Sequence, residues 1–185
     1  MKLPRGTTMK IIKKIQIEAT ADKVWGIFAH DFDSASEWMA SIPNSYGEST
    51  SKAFEGNKSE GRVCELNGNP NGIKATEEFL AYDEINKTCT VDVTLLNTPA
   101  VMPILGNILD FEIQDVGANR SEVTWTVTSK LKPHAYIIYP LIKFGLGVLV
   151  GQIIEELKHF VEQGQPHPRK VKATAKLKLA ANGQS

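Results

Sequence analysis

The chain has 185 residues, which suits one domain with a sizeable core and is short for two. Lys and Arg total 21 and Asp and Glu total 21, so the formal net charge at pH 7 is zero. This balance gives no sign of a nucleic-acid partner or of an acidic substrate. Cys64 and Cys89 are the only cysteines, too few for a secreted disulfide scaffold or a zinc site.

Residues 1–8 are expected to form a flexible N-terminus. The stretch MKLPRGTTMKIIKKIQIEA has no continuous apolar run before a small-residue cleavage site, so it does not resemble a secretory signal peptide. We therefore expect a cytoplasmic location with reduced, buried thiols.

The single folded domain is predicted to span residues 9–164 and to begin with a strand and two short helices. From Met9, MKIIKKIQIEA alternates apolar and mostly polar residues, which is typical of a strand with one covered face. Thr20 is a good N-cap for ADKVWGIFA, in which Val24, Ile27 and Phe28 have helical spacing. A second helical fragment, SASEWMA, ends before the helix-breaking stretch SIPNSYG.

The middle of the chain changes to a period of two residues. Strands are predicted for GRVCELN, IKATEEFLAYD, TCTVDVTLLN, ILDFEIQDV and SEVTWTVTSKLK, with turns such as NGNPNG, EINK and GANR between them. The segment NTPAVMPILGN is predicted to be a loop because it contains Pro99, Pro103 and Gly106. Strands joined by short turns are antiparallel, so we expect an antiparallel sheet with one covered face.

A long helix is predicted for YPLIKFGLGVLVGQIIEELKHFVEQ, residues 139–163, with one broad apolar stripe. The stretch AYIIYPLIKFGLGVLVGQII begins before this helix and overlaps its first half. It approaches the length of a membrane span and has Lys143 as its only charge. Pro140 and Gln152 also interrupt this stretch, and it continues into a charged amphipathic turn. We therefore interpret it as a helix that covers the sheet.

Three glycines, Gly145, Gly147 and Gly151, lie in the apolar half of this helix. Each lowers helix stability by about 1 kcal/mol relative to alanine. Their missing side chains leave room either for close packing on the sheet or for another molecule beneath the helix.

The C-terminal residues 165–185 are basic, and no acidic residue follows Glu162. Lysine and arginine alternate there with Pro, Ala, Gly and Ser, so we expect a solvated, disordered tail. Contact of this tail with an anionic membrane or with RNA is the alternative.

The order of elements, together with IEATADKVWGIFA, SASEWMASIP, GRVCELNG, KATEEFLAYD and EVTWTV, resembles the START-related helix-grip superfamily, which includes the polyketide cyclase/dehydrase and birch-pollen-allergen-like proteins. The resemblance covers residues 9–163. It implies an α+β fold in which a curved antiparallel sheet wraps around a long C-terminal helix. It also implies a cavity between sheet and helix for apolar or amphipathic small molecules.

The resemblance also implies which residues line that cavity. An aromatic residue of the second helical fragment matches Trp38, and the inward strand faces and the glycine-rich half of the helix supply the rest. Where relatives have an inward arginine in a GxxR pattern, this chain has Cys64, which implies a less cationic pocket. The predicted ligand-binding residues are Trp38, Met39, Ile42, Cys64, Phe79, Val91, Val93, Phe111, Trp125, Val127, Gly145, Leu146, Leu149 and Val150.

Glu77 is the candidate catalytic residue, because a carboxylate on an apolar inward face has a raised pKa and can transfer a proton. A structural hydrogen bond is the alternative role. His30 lies near Asp31 and Asp33, but sequence neighbours at a helix end are typical of a cap, so no metal site is predicted. No nucleophile motif, phosphate-binding loop or dinucleotide fingerprint is present, and no cofactor is expected.

Three functions are consistent with these features. The first is binding or transport of a hydrophobic molecule, lipid-like or polycyclic. The second is a cyclase/dehydrase-like enzyme that uses Glu77 as general acid or base. The third is an interaction protein that contacts a membrane or an assembly through the basic tail and an apolar rim formed by NTPAVMPILGN and AYIIYPLI. These rim residues can instead fold back as a lid. We therefore expect transient contact with a membrane and no binding of nucleic acid. The sequence does not predict the oligomeric state.

Overall fold

The computed structural model describes residues 8–48, 54–67, 69 and 71–182. Within this part of the chain, seven strands form one antiparallel sheet in the order β1-β7-β6-β5-β4-β3-β2. The strands are β1 Thr8–Ile17, β2 Asn44–Gly47, β3 Gly61–Glu65, β4 Lys74–Asp83, β5 Thr88–Leu96, β6 Ile104–Gly117 and β7 Arg120–Leu131.

The helices follow the predicted order. Helix α1 (Ala21–Trp25) continues into a π-turn (Gly26–His30), and a 3₁₀ turn (Phe32–Ser34) leads into α2 (Ala35–Trp38). A second 3₁₀ turn (Pro133–Ile138) precedes α3 (Tyr139–Gln163), and α4 (Pro168–Asn182) closes the described chain.

The ends of α1 and α3 have the signals that the sequence indicates. The Thr20 side chain accepts a hydrogen bond from the Lys23 backbone N–H at 3.3 Å, which caps α1. Helix α3 stops at Gly164, which has a left-handed φ of 67° and donates its N–H to the Phe160 carbonyl. Glycine adopts this conformation without the steric cost that a side chain imposes.

Aromatic side chains fill one end of the space beneath the sheet. Phe28 stacks on Phe111 with ring centroids 3.5 Å apart, and Trp125 meets both rings edge-on at 5.5 Å and 5.4 Å. Phe32 packs against Phe79 with centroids 4.4 Å apart. Helix α1 and the turns after it therefore close this end of the core, and the other end is left to α3.

Helix α3 is fixed to the sheet through its second half. Ile154, Leu157 and Val161 are buried there, whereas Leu141 and Phe144 in the first half are exposed. The predicted fold class is thus confirmed: a curved antiparallel sheet packs around a long C-terminal helix, with short helices after the first strand.

The structure differs from the sequence-based expectation in four places. Strand β2 was not predicted, and β6 starts at Ile104, inside the segment expected to be a loop. The expected disordered tail is wrong for Pro168–Asn182, which form α4. The predicted flexible N-terminus falls on residues 1–7, outside the described residues, and on Thr8, which begins β1. Residues 183–185 also lie outside the described part.

Candidate functional site

A cavity of about 390 Å³ lies between the first half of α3 and the covered face of the sheet, and it opens to the surface. Strands β3 to β7, helix α3 and the segment after α2 all contribute to its wall. The lining residues are Met39, Ser41, Ile42, Arg62, Leu66, Ala75, Glu77, Val93, Leu95, Ile104, Asn107, Leu109, Trp125, Val127, Leu146, Leu149, Val150 and Ile153.

Eight of the predicted ligand-binding residues and the candidate catalytic residue Glu77 lie on this wall. The eight are Met39, Ile42, Val93, Trp125, Val127, Leu146, Leu149 and Val150. Each lies where its strand or helix period directs it, so the faces of the elements are placed as expected.

Six other predicted residues do not line the cavity. Five are buried in packed core: Phe111 lies beneath Phe28 and Phe79 against Phe32 in the aromatic cluster, and the other three are buried without reaching the cavity. Gly145 lies on the exposed side of α3. The five core residues are Trp38, Cys64, Phe79, Val91 and Phe111.

Sequence reasoning missed nine lining residues, and for several of them a usable signal existed. Leu95 follows Val93 by two residues and Ala75 precedes Glu77 by two, so the strand alternation places them on the same face. Ile153 follows Val150 by one helical turn. The missed residues are Ser41, Arg62, Leu66, Ala75, Leu95, Ile104, Asn107, Leu109 and Ile153.

Arg62 and Glu77 form a buried ion pair at the cavity wall. The two residues are direct neighbours across β3 and β4, and they are only 2% and 6% exposed. Arg62 donates Nε–H and Nη2–H to Glu77 Oε2, at 3.0 Å and 2.6 Å, and Nη1–H to the Phe32 carbonyl at 2.6 Å. Its guanidinium also lies 4.0 Å from the centre of the Phe32 ring.

The environment of Arg62 keeps the guanidinium charged. Desolvation is the largest influence and lowers the Arg62 pKa, but the charge of Glu77 and its hydrogen bonds outweigh it, so the net pKa is raised. Because the partners neutralise each other within 2.6 Å, the pair adds no net charge to the wall.

The comparison of Cys64 with an inward arginine overlooked Arg62, which supplies an inward guanidinium two residues earlier on the same face. Cys64 is fully buried and does not line the cavity. Burial, assisted by Glu77, raises the pKa of the Cys64 thiol to about 12, so the thiol is protonated and unreactive.

Glu77 is not arranged as an independent acid or base. Its Oε2 atom already accepts two guanidinium hydrogen bonds. Among the described lining residues, Glu77 and Arg62 are the only titratable side chains, so no second group stands ready to relay a proton.

Three further polar side chains reach the wall. Asn107 accepts a hydrogen bond from the Ser129 hydroxyl at 2.6 Å, and Ser41 lies in the segment after α2. The Nε1–H of Trp125 is buried and has no hydrogen-bond partner. Few polar groups in an apolar wall are typical of pockets that bind and orient small organic molecules.

The glycines of α3 have neither of the two expected roles, close packing on the sheet or room for another molecule beneath the helix. A side chain at Gly145 or Gly147 would meet nothing within 4 Å, and one at Gly151 would touch only the Lys13 side chain at 3.7 Å. They therefore do not allow close packing against strand backbone, and they do not face the cavity. Gly147 and Gly151 instead border a surface groove beside Lys13.

Helices α3 and α4 hold the segment after α2, which forms one wall of the cavity. Glu156, only 2% exposed, accepts the Ala40 backbone N–H through Oε2 and the Arg169 Nε–H through Oε1, at 2.9 Å and 2.8 Å. Lys170 donates to the Ile42 carbonyl at 2.8 Å, and burial lowers the Lys170 pKa.

A second polar cluster lies at the aromatic end. Glu84 Oε2 accepts hydrogen bonds from Trp25 Nε1 at 2.8 Å and Tyr82 Oη at 2.6 Å, and it lies 3.0 Å from His30 Nε2. His30 thus contacts Glu84 in the turn after β4. Across the described residues, no group of three or more His, Cys, Asp or Glu side chains is arranged to hold a metal ion.

The family profile described as "Polyketide cyclase / dehydrase and lipid transport" matches residues 8–154. The chain belongs to this family. No curated protein sequence matches it. The family match ends inside α3, so α4 and its contacts lie beyond the matched part.

Several solved structures share this fold. A START superfamily protein from Mycobacterium smegmatis has a TM-score of 0.64 and 13% identity, covering 83% of this chain and 97% of its own. Norcoclaurine synthase from Thalictrum flavum has a TM-score of 0.58 and 13% identity, covering 86% and 89%. A major latex-like protein from Panax ginseng has a TM-score of 0.57 and 16% identity, covering 83% and 97%.

Proposed function

We propose that this protein binds an uncharged hydrophobic small molecule in the cavity between α3 and the sheet. The observation that supports this most directly is the composition of the wall. Fourteen of the eighteen lining residues are apolar, and the two charged ones, Arg62 and Glu77, neutralise each other. The description of the family as including lipid transport agrees with such a role.

The size of the cavity limits the ligand. Ligand pockets in proteins usually measure about 300–1,000 Å³, and 390 Å³ is at the small end of that range. We therefore infer that the ligand is a single acyl chain or a small polycyclic molecule, which suits a cavity of this size better than a whole two-chain phospholipid does.

The charge balance limits the ligand further. A carboxylate or ammonium group buried in this wall would have no free opposite charge to pair with, and an unpaired buried charge is costly. A hydroxyl, carbonyl or ether group can instead form hydrogen bonds with Ser41 or Asn107. The ligand is thus an apolar body with at most a neutral polar group.

Titration with the uncharged fluorophore N-phenyl-1-naphthylamine tests the proposal. Ala75 is buried on the cavity wall, so Ala75→Phe fills the space and should weaken probe binding about tenfold or more. Ala81 is exposed on the same strand, and Ala81→Phe is the matched control that should bind like wild type. Solvent extraction and mass spectrometry of the purified protein should recover an uncharged apolar molecule.

Two results would contradict the proposal. One is wild-type protein that binds no uncharged apolar probe. The other is probe binding that Ala75→Phe leaves unchanged while its melting curve remains cooperative, which would place the probe outside the cavity.

A cyclase- or dehydratase-like reaction is the second candidate function, because Glu77 does reach the cavity wall. The test compares conversion of the extracted ligand by wild type and by Glu77→Gln, whose fold is checked by circular dichroism. Equal conversion, or none by wild type, would count against Glu77 as a catalytic residue.

A further inference from the structure

An apolar patch of six residues lies exposed at the end of the molecule where α3 begins. On α3, Leu141, Phe144 and Val148 are exposed with spacings of three and four, so they share one face, and Ile137 lies in the 3₁₀ turn just before the helix. Ile137 is 88% exposed and Phe144 is 72% exposed. The patch consists of Val101, Leu105, Ile137, Leu141, Phe144 and Val148.

The loop part and the helix part of the patch are joined at Lys132. This residue donates its backbone N–H to the Pro103 carbonyl at 2.9 Å and its Nζ to the Ala100 carbonyl at 3.1 Å. Val101 therefore lies next to the start of the 3₁₀ turn that contains Ile137. Both parts form one end of the molecule, the end opposite the β4–β5 turn.

The region is unusually apolar for an exposed surface. The helical segment Pro133–Gln163 contains an 18-residue stretch that is apolar and long enough to cross a membrane, yet only 11% of that stretch is buried. The buried residues Ile154, Leu157 and Val161 fix the second half of α3 to the sheet, so the exposed apolar residues are those of the first half. Exposed apolar surface of this kind marks a site of contact with a protein or a membrane.

The charges around the patch favour one partner. Residues 96–109 contain no charged side chain, and the only charged residues in 127–154 are Lys130, Lys132 and Lys143. Phe144 and Val148 also share a surface groove with Lys13, Arg169 and Glu155, and Glu155 pairs with Arg169 at 2.9 Å. An apolar face whose border carries this excess of cations is complementary to anionic lipid headgroups above an acyl layer. A symmetric dimer through the same face would instead bring equivalent lysines near each other.

We propose that this patch docks the protein on an anionic lipid surface, with α3 lying in the plane of the interface. Phe144 and Leu141 then enter the headgroup boundary, and Lys143 contacts lipid phosphates. Leu149 is partly exposed and also lines the cavity, so the opening of the cavity lies beside the docked face. The docking stands on the surface alone and does not require that the cavity bind a ligand.

Vesicle flotation tests the docking. Wild-type protein should float with vesicles of phosphatidylcholine that contain about one part in three of phosphatidylserine, and less with phosphatidylcholine alone. Ile137→Asp/Phe144→Asp places two charges in the patch and should weaken binding about tenfold or more. Lys143→Glu should weaken binding to the anionic vesicles only.

Ile85→Asp is the matched control, because Ile85 is 90% exposed but lies in the β4–β5 turn at the opposite end of the strands. It should bind vesicles like wild type. Circular dichroism and light scattering establish the fold and the mass of each variant. Neither Ile137, Lys143 nor Phe144 lines the cavity, so probe binding should be equal in all variants.

Three outcomes would overturn the docking. The first is that wild type binds none of the vesicles. The second is that the double aspartate variant floats as well as wild type. The third is that wild type is a dimer that the double variant dissociates, which would make the patch a protein interface. Probe binding in the same samples separates failure of the docking from failure of the proposed cavity function.

Discussion

The ion pair of Arg62 and Glu77 shows how a single residue pair affects stability and the site together. Removing one partner of a buried pair leaves the other charge uncompensated, which costs about 3–5 kcal/mol. We therefore expect Glu77→Ala to lower the free energy of unfolding by about that amount. The double variant Arg62→Met/Glu77→Leu should recover most of it, because both charges are replaced by apolar groups. Urea denaturation measures both; a loss below about 1 kcal/mol for Glu77→Ala would mean that Arg62 is solvated through the cavity.

Glu84 gives the protein a pH-dependent term. Desolvation is the largest influence and raises the Glu84 pKa, but hydrogen bonds from Tyr82, Trp25, His30 and Lys87 outweigh it and lower the pKa from 4.5 to about 2. A carboxyl with a depressed folded-state pKa stabilises the protein above its unfolded pKa, and this contribution is lost as the pH falls through the folded pKa.

We therefore expect Glu84→Gln to melt at a lower temperature than wild type above pH 4.5, with the difference shrinking between pH 4.5 and 2. Thermal melts by circular dichroism across pH 2–6 measure this window. Glu78→Gln, on the exposed face of β4, is the control. A constant difference between Glu84→Gln and wild type over the whole range would show that the hydrogen bonds of Glu84 do not depend on its charge.

At the scale of elements, the glycines of α3 lower helix stability without a compensating contact. Since a side chain at Gly145 or Gly147 would enter open space, alanine there gains helix propensity and meets no clash. We expect Gly145→Ala and Gly147→Ala each to raise the free energy of unfolding by about 0.5–1 kcal/mol. Thermal and urea unfolding measure the change. Destabilisation by either alanine would mean that the glycine is needed for a contact or a bend of the helix.

Helix α4 stabilises a wall of the cavity from behind. Arg169→Ala removes the guanidinium that pairs with buried Glu156. Glu156 in turn accepts a hydrogen bond from the Ala40 backbone N–H. Because Arg169 is about one-third exposed, we expect a loss of only about 1–3 kcal/mol, the range for hydrogen bonds to charged groups and for unsatisfied buried partners.

Hydrogen–deuterium exchange at the Ala40 amide is the direct readout, and it should become faster in Arg169→Ala. Lys176→Ala, on the exposed part of α4, is the control and should leave this amide unchanged. Unchanged exchange in Arg169→Ala would show that α4 is not needed to order residues 39–43.

At the scale of the molecule, the long periodic helices and strands could be predicted from the sequence. The elements that depend on tertiary contacts could not. Alternation predicts β7, and helical spacing with a terminal glycine predicts α3, because both patterns repeat over many residues. Strand β2 has four residues at the sheet edge, and the start of β6 depends on its pairing with Leu131 despite Pro103 and Gly106 nearby. The absence of acidic residues favoured a disordered tail, although Pro168 and the Ala, Lys and Leu residues of α4 suit a helix.

The site shows the same division. The alternation of residues along the strands correctly places Val93, Trp125 and Phe111 on the covered face. It does not tell which residues on that face line the cavity and which belong to the packed core. Phe111 belongs to solid core because Phe28 stacks on it, whereas its direct cross-strand neighbour Trp125 reaches the cavity. Arg62 was missed because a pattern borrowed from relatives assigned the inward position to Cys64. The cytoplasmic location stays a prediction.

The neutral wall leads to a test of ligand class. Dodecanol is a single-chain alcohol, and its hydroxyl needs no counter-charge in the neutral wall. A ligand that binds only the folded state stabilises it by about 2.7 kcal/mol when its concentration is one hundred times its Kd. We therefore expect dodecanol to raise the melting temperature by several degrees and dodecanoate to raise it much less, since an unpaired buried carboxylate is costly.

Removing Glu77 should reverse that order. In Glu77→Gln, the Arg62 guanidinium loses its counter-ion, so a ligand carboxylate can take the place of the missing charge. Melting curves measure this reversal. They compare the shift in melting temperature that each ligand gives in wild type and in Glu77→Gln, below the concentration at which the ligands form micelles. Equal shifts by the alcohol and the acid in wild type would mean that the ligand head group stays in water, with only the acyl chain inside, and that the ion pair does not select the ligand.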